Sequence, residues 1–412
     1  MKVSDNANKI VVIVPGILPM PPVRGGAVEN LLYNVVKVNE EVKKMHLVIY
    51  SVHNEEAVQE ATKYKQTEWQ FYKIPSIVDW CDKFIYMCVK ILGCNNVQSF
   101  RFIGQRLYYI YKIAQNLNRR DDVKIIVLDN HVTLCMVLWW FGNYKKYINN
   151  VFYHAHNEIK GYWGMKKYFL GLGKYICVSQ FIGNTIKKMG VENKKIKVLT
   201  NVVDTDRFAN RMTEAERVCF RKKYGINKND FVVFTAGRIV PEKGIKEALI
   251  GFQQANIKHS KLVLAGGTFF ASKVKNSYEQ EVNEIIQKMP DRVLMLGYIP
   301  YDEMPKWYQC ADVGLFPSIW DEPAFLTGIE ARSAGLPVIT TVSGGIPEYI
   351  KPEFGILLNR DENLEENIAD SLKMLSENAI RLKDMSEKAR QYSRQYDLYT
   401  YYEAFYQQVG NV

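Results

Sequence analysis

Short apolar runs separated by helix-length stretches recur along the whole chain, and this rhythm restricts its fold more than any other feature. The runs at residues 10–14, 46–51, 124–128, 150–154, 175–178 and 197–199 are dominated by apolar and β-branched residues, with little polar alternation. A strand apolar on both faces must be covered on both, so such runs belong to a parallel sheet between helix layers. Helical periodicity at 27–44 and 180–189 supplies those layers. A second series begins after residue 210, with runs at 231–235, 261–264, 292–296, 313–316 and 337–340. The reading is α/β, with two similar layers in succession joined near residues 201–212. A chain of 412 residues, 47% hydrophobic, is large enough for two cores.

Composition then narrows the function. The run at 10–14 is too short for a secretory signal and reads as a first buried strand. The longest uncharged stretches, 130–144 and 333–347, are 15 residues each, short of the roughly 20 that span a bilayer. Seven cysteines, at 81, 88, 94, 135, 177, 219 and 310, are an odd number without a C-x-x-C pair. Neither a disulfide framework nor a zinc site is indicated, and a reducing cytoplasm is expected. Residues 1–205 hold 28 Lys plus Arg against 16 Asp plus Glu, whereas the remainder has 54 − 28 = 26 against 44 − 16 = 28. The basic excess therefore lies wholly in the first half. No nucleic-acid motif accompanies it; an anionic membrane surface or a lipid diphosphate acceptor fits better, and peripheral attachment at the inner membrane face is the expectation. Residues 98–116 interleave aromatics with Arg101, Arg106 and Lys112. They form either an amphipathic face toward lipid or a core-facing helix with snorkelling cations, and the second reading is favoured.

Two segments bear the chemistry. In EPAFLTGIE, residues 322–330, two carboxylates stand eight residues apart between two strand-like runs, where open α/β sheets bind ligands. Eight helical residues would span roughly 12 Å, about the reach from a sugar ring to the ribose of a sugar nucleotide. The first helical turn between them offers unpaired N–H groups to a diphosphate. In GRIVPEKG, residues 237–244, Arg238 and Lys243 sit on one loop after the run at 231–235. Two such cations can neutralise a diphosphate leaving group as its charge develops. Together the segments describe a nucleotide-sugar site.

With RGGAVENL near the N-terminus, HNE at 156–158 and NVVDTDRF at 201–208, these segments give five blocks in order over residues 10–405. In this the chain resembles retaining glycosyltransferases of family 4, the glycosyl transferases group 1. The resemblance implies a GT-B fold: α/β, two Rossmann-like domains facing each other across a deep cleft. It implies an acceptor-binding domain at 1–205, to which a C-terminal helix at about 396–412 returns, and a nucleotide-sugar-binding domain at 206–395. Gly25 and Gly26 would let backbone approach the diphosphate or acceptor, and His156 would lie near the anomeric centre. Arg238 and Lys243 would bind phosphate, Glu322 the sugar hydroxyls and Glu330 the ribose. Tyr298, Ile299, Phe325, Leu326 and Thr327 complete the implied donor site. Relatives often have glycine where this chain has Phe325. The implied activity is hexosyl or N-acetylhexosaminyl transfer, with retention, from a UDP-sugar to a glycan or lipid-linked acceptor in cell-surface polysaccharide synthesis, without a metal cofactor. A non-catalytic partner subunit and a nucleotide-sugar epimerase are the rival readings.

Two further motifs raise a metal question. His154, His156 and Glu158 share parity, so an extended strand would turn all three to one side. Zinc wants three or four ligands, and no other His or Cys is near in sequence. The favoured reading ends the strand near His154, buries that residue and sends His156 and Asn157 into the cleft. Asp204-Thr205-Asp206 spells D-x-D, but its place in the linker makes Asp204 a turn or cap residue.

Overall fold

The computed structural model describes residues 9–92, 101–267 and 277–410. Two compact units divide the chain: Met1–Thr200 with Tyr401–Val412, and Asn201–Thr400. Cys94 and residues 98–100 lie outside the described residues.

The first unit is built on seven parallel strands: β1 (Lys9–Ile13), β2 (Leu47–Val52), β3 (Thr67–Tyr72), β4 (Val123–Asp129), β5 (Val151–Ala155), β6 (Lys174–Cys177) and β7 (Ile196–Val198). Their order is β3-β2-β1-β4-β5-β6-β7, and Val12 pairs with Ile49 on one side and Val127 on the other. The second unit has six parallel strands: β8 (Phe231–Ala236), β9 (Ser260–Ala265), β10 (Val293–Gly297), β11 (Val313–Phe316), β12 (Val338–Thr341) and β13 (Gly355–Leu358). Their order is β10-β9-β8-β11-β12-β13. Each sheet is thus wound outward in both directions from a central pair, β1/β4 in one and β8/β11 in the other. A crevice opens above the strand ends at such a reversal, because successive loops leave toward opposite sides.

Alternating side chains of the second sheet feed two separate cores. Val232, Phe234, Phe316 and Val338 belong to one, and Val233, Leu262, Leu315 and Ile339 to the other. Both faces are covered, which is why these strands read as unbroken apolar runs. Eight helices matter below: α1 (Ala27–Val42), α2 (Ser76–Ile91), α3 (Ile103–Arg119), α4 (Ile245–Ala255), α5 (Leu326–Ala334), α6 (Leu364–Ser376), α7 (Ala379–Ser393) and α8 (Leu398–Val409). From Tyr401 onward α8 belongs to the first unit. There the Tyr402 hydroxyl donates to Asn39 Oδ1 at 2.7 Å, and Lys44 pairs with Glu403.

The basic, aromatic stretch after residue 100 is a core helix. α3 buries Tyr109, Ile110, Ile113, Ala114 and Leu117, one continuous stripe. Arg106 turns inward to His131 Nε2 at 2.8 Å. Asp204 caps the short helix Thr205–Ala209, its carboxylate accepting the Arg207 N–H at 3.2 Å, as the turn reading expects.

Candidate active site

Two loops at the β8/β11 reversal meet through one ion pair. The loop after β8 turns back at Gly244, where φ is +63°. A Cβ there would come within 1.9 Å of the Pro317 carbonyl oxygen, so only glycine lets the β8 loop lie against the β11 loop. That approach brings Lys243 Nζ to 2.5 Å from Glu322 Oε1. Ser318 Oγ lies 3.0 Å from the same carboxylate oxygen, and the Gly345 N–H donates to the Glu322 carbonyl at 2.7 Å. Glu322 is buried, Lys243 half-buried and Arg238 exposed.

α5 starts at Leu326, so residues 322–325 are not helical. The roughly 12 Å estimate, which assumed eight helical residues, therefore does not apply; the helical rise from 326 to 330 is only about 6 Å. The first intrahelical bond runs from the Ile329 N–H to the Phe325 carbonyl at 3.0 Å. The N–H groups of Leu326, Thr327 and Gly328 precede it and point out of the helix start. Phe325 does not crowd them: its ring is buried in the core beside Phe316, with centroids 6.0 Å apart. Gly328 makes the room, since a Cβ there would lie 2.1 Å from Phe325 Cδ1. The bulky residue at 325 is thus accommodated by the missing side chain one turn on.

Glu330 is buried and accepts the Tyr308 hydroxyl at 2.7 Å. Burial pushes its carboxyl up to about 7, against the opposing pull of hydrogen bonds from Tyr308 and Tyr301. Tyr298, in the loop after β10, is exposed, whereas Ile299 packs against the core. A cavity of about 670 Å³ in this unit is lined by Arg211, Arg217, Tyr308 and Arg390 among others; Arg238, Lys243, Glu322 and Glu330 are not among them.

In the first unit, the loop after β1 leads through Gly25 and Gly26 into α1. Gly26 has φ +117°, and a Cβ on it would meet Glu29 Oε2 at 2.1 Å. Glu29 is buried, and burial, then the neighbouring Asp129, raise its pKa. β5 ends at Ala155, with His154 and His156 buried and Asn157 and Glu158 exposed. His156 therefore does not project from the strand end as expected. Its Nε2 lies 3.0 Å from Asp129 Oδ1 and 3.1 Å from His154 Nδ1, and the adjacent Asp129, at the end of β4, draws it in. Burial raises the pKa of Asp129 and lowers those of both histidines, so it disfavours charge on all three groups.

The cluster also bears on the metal question. Asp129 replaces Glu158 as the third group, and the ligand atoms all lie within 4.8 Å of one another. Metal-bound histidines normally pass their other ring N–H to a partner. Here His154 Nε2 and His156 Nδ1 are buried with no hydrogen-bond partner. The remaining space beside Asp129, His154 and His156, about 10 Å³, is otherwise lined mainly by apolar residues such as Val12, Leu32 and Phe405, room for about a single water.

Sequence reasoning missed Asp129, Ser318 and Tyr308. Asp129 opens a D-N-H run at a strand end, a signal that was there to be read. Ser318, although only four residues before Glu322, and Tyr308, 22 before Glu330, have no comparable mark.

The paired doubly wound sheets are the GT-B fold. Anabaena HepE, in its complex with UDP, superposes with a TM-score of 0.74 at 18% identity, covering 98% of this chain and 100% of that one. Residues 217–392 match the family described as glycosyl transferases group 1. That match covers 176 of the 412 residues, somewhat less than half of the chain. YtcC of Bacillus subtilis (strain 168) is 29% identical over 265 residues, 60% of this chain and 64% of that protein. The UDP-Gal:alpha-D-GlcNAc-diphosphoundecaprenol alpha-1,3-galactosyltransferase of Escherichia coli is 28% identical over 209 residues, 50% and 51% of the two chains. Each of these alignments spans less than two thirds of the relative's length.

Proposed function

We propose that the protein transfers a hexosyl or N-acetylhexosaminyl group from a UDP-sugar to a glycan or lipid-linked acceptor, with retention and without a metal cofactor. The observation behind this reading is the Lys243–Glu322 pair at the β8/β11 reversal, beside the open N–H groups of α5. Lys243 can turn from Glu322 to a diphosphate, freeing the carboxylate to accept from sugar hydroxyls. Arg238 adds a second cation on the same loop, and the first turn of α5 offers N–H donors to phosphate oxygens. As the glycosidic bond breaks, negative charge grows on the diphosphate, so these groups stabilise the transition state more than the ground state. Glu330, held by Tyr308, accepts from the ribose. Gly25 and Gly26, through their backbone, are the first unit's contribution to transfer.

UDP as donor nucleotide is supported by the HepE complex and by the donor in the Escherichia coli relative's name; that name also supports a diphosphoundecaprenol-type acceptor. The orphaned histidine nitrogens favour a hydrogen-bonded cluster over an ion site. Attachment at the inner membrane face is part of the same reading. Thermal shift against a panel of nucleotide sugars is the first test, because a ligand that binds only the native state raises its melting point. Stabilisation by UDP-sugars above other nucleotides is expected. No response to any nucleotide sugar would reject the reading.

A further inference from the structure

α2 leaves a broad apolar face outward. Of its 16 residues, only Asp82 is fully buried. The Asp82 carboxylate accepts the Gly104 N–H at 2.7 Å and the Gln105 N–H at 3.0 Å, clamping α2 onto the start of α3. The opposite face shows Ile77, Trp80, Phe84, Met87 and Ile91, each at least half exposed. Their spacing of three and four residues is that of a single helix stripe. Trp80 and Phe84 stack with centroids 6.1 Å apart, so the stripe is a continuous apolar surface. A helix packed on its own protein would point this stripe inward; a contiguous exposed patch of this kind marks a surface that meets something.

The surrounding charge selects the occupant. Between Lys73 and Arg120 the sequence has eight Lys plus Arg against two Asp. Asp82 is consumed by the clamp, Asp79 offsets Lys83 at 2.7 Å, Arg106 is turned inward to His131 and Arg120 is paired with Glu68 and Asp122. Lys73, Lys83, Lys90 and Arg101 are exposed around the stripe. A two-fold contact between copies of this chain would set these cations against their own images. An anionic bilayer offers hydrocarbon to the stripe and phosphate to the rim. No helix among the described residues is long and apolar enough to cross a membrane, and at 16 residues α2 is short of the length required.

We propose that α2 lies flat in the headgroup region of an anionic bilayer, with Ile77, Trp80, Phe84, Met87 and Ile91 in the acyl boundary. This extends the proposed membrane attachment by naming its surface, and it does not depend on sugar transfer. The test is co-sedimentation of the full chain with phosphatidylglycerol-containing vesicles and with pure phosphatidylcholine vesicles, alongside Trp80 emission. Binding to the anionic vesicles is expected, with a blue shift quenched by brominated lipid and lost in Trp80→Phe. Ile77→Ser/Phe84→Ser/Ile91→Ser should lower partitioning at least about tenfold, with an unchanged UDP-induced melting shift. Lys83→Glu/Lys90→Glu should remove the preference for anionic vesicles. Wild-type protein that stays in the supernatant overturns the proposal, as does unaltered binding of the triple variant. Loss of self-association in the triple variant, without any vesicle binding by the wild type, would assign the stripe to a second copy instead.

Discussion

The two units share one winding and place opposite electrostatics at its centre. At the β1/β4 reversal, Asp129, His154 and His156 turn inward and burial disfavours their charged forms. At the β8/β11 reversal, Lys243 and Glu322 pair beside an exposed Arg238. Topology alone therefore does not make an anion site. What differs is whether the loop leaving the central strand crosses to its neighbour with a charged side chain, as Gly244 permits in the second unit, or folds its polar groups into the sheet.

Four measurements would break or sharpen this contrast. The largest effect is expected from the charged pair: Lys243→Ala and Arg238→Ala should each lower turnover at least about a hundredfold, a loss on the order of 2.7 to 4 kcal/mol in the barrier. Steady-state rates with a UDP-sugar decide it, with melting curves confirming an intact fold; near-normal rates in both variants would dissolve the contrast. Next, Gly328→Ala should lose about 1 to 3 kcal/mol of stability by overpacking against Phe325. A melting point equal to wild type would show that the ring moves freely aside.

Third, nucleotide affinity should depend on pH through Glu330. Its carboxyl titrates at about 7, and ribose hydroxyls donate to the ionised form, so UDP binding should weaken by up to about tenfold per pH unit below 7. Calorimetry across that range should give a flat profile for Glu330→Gln; a sloped one would remove Glu330 from the nucleotide site. The smallest effect belongs to the buried cluster. Asp129, raised to about 7, contributes stability that is complete below its unfolded pKa of about 4 and lost as pH rises through 7. The histidines, with lowered pKa values, act the other way: their contribution is present above about 6.5 and lost as pH falls. Over about pH 4 to 6.5 the two histidines outweigh Asp129, so stability should rise with pH, and Asp129→Asn should steepen that rise by on the order of 1 kcal/mol per pH unit. A slope in Asp129→Asn no steeper than in the wild type would contradict the assignment.

The central strands were legible because burial on both faces writes them as unbroken apolar runs. β3 and β13 were not, and both are sheet edges. Thr67–Tyr72 reads TEWQFY, mixed in character because most of its residues are only half covered, and Gly355–Leu358 is four residues long. In the site, the cations and carboxylates stood out because charge between apolar runs is conspicuous. The partners that hold them are ordinary residues, Tyr308 22 positions before Glu330 and Ser318 four before Glu322, and nothing in their residue type announces them. His156 was misplaced for a similar reason: its depth is set by Asp129, 27 residues earlier on the neighbouring strand.

The assignment of Tyr401–Val412 to the first unit sets an order of events during synthesis. Tyr402 and Phe405 are buried there, so the unit begun at β1 cannot close its core until the ribosome has made everything between. For that interval the nascent first unit exposes the seat of α8 while the second, continuous in sequence, can fold by itself. A truncation before Tyr401 would therefore injure the half of the molecule farthest from it along the chain.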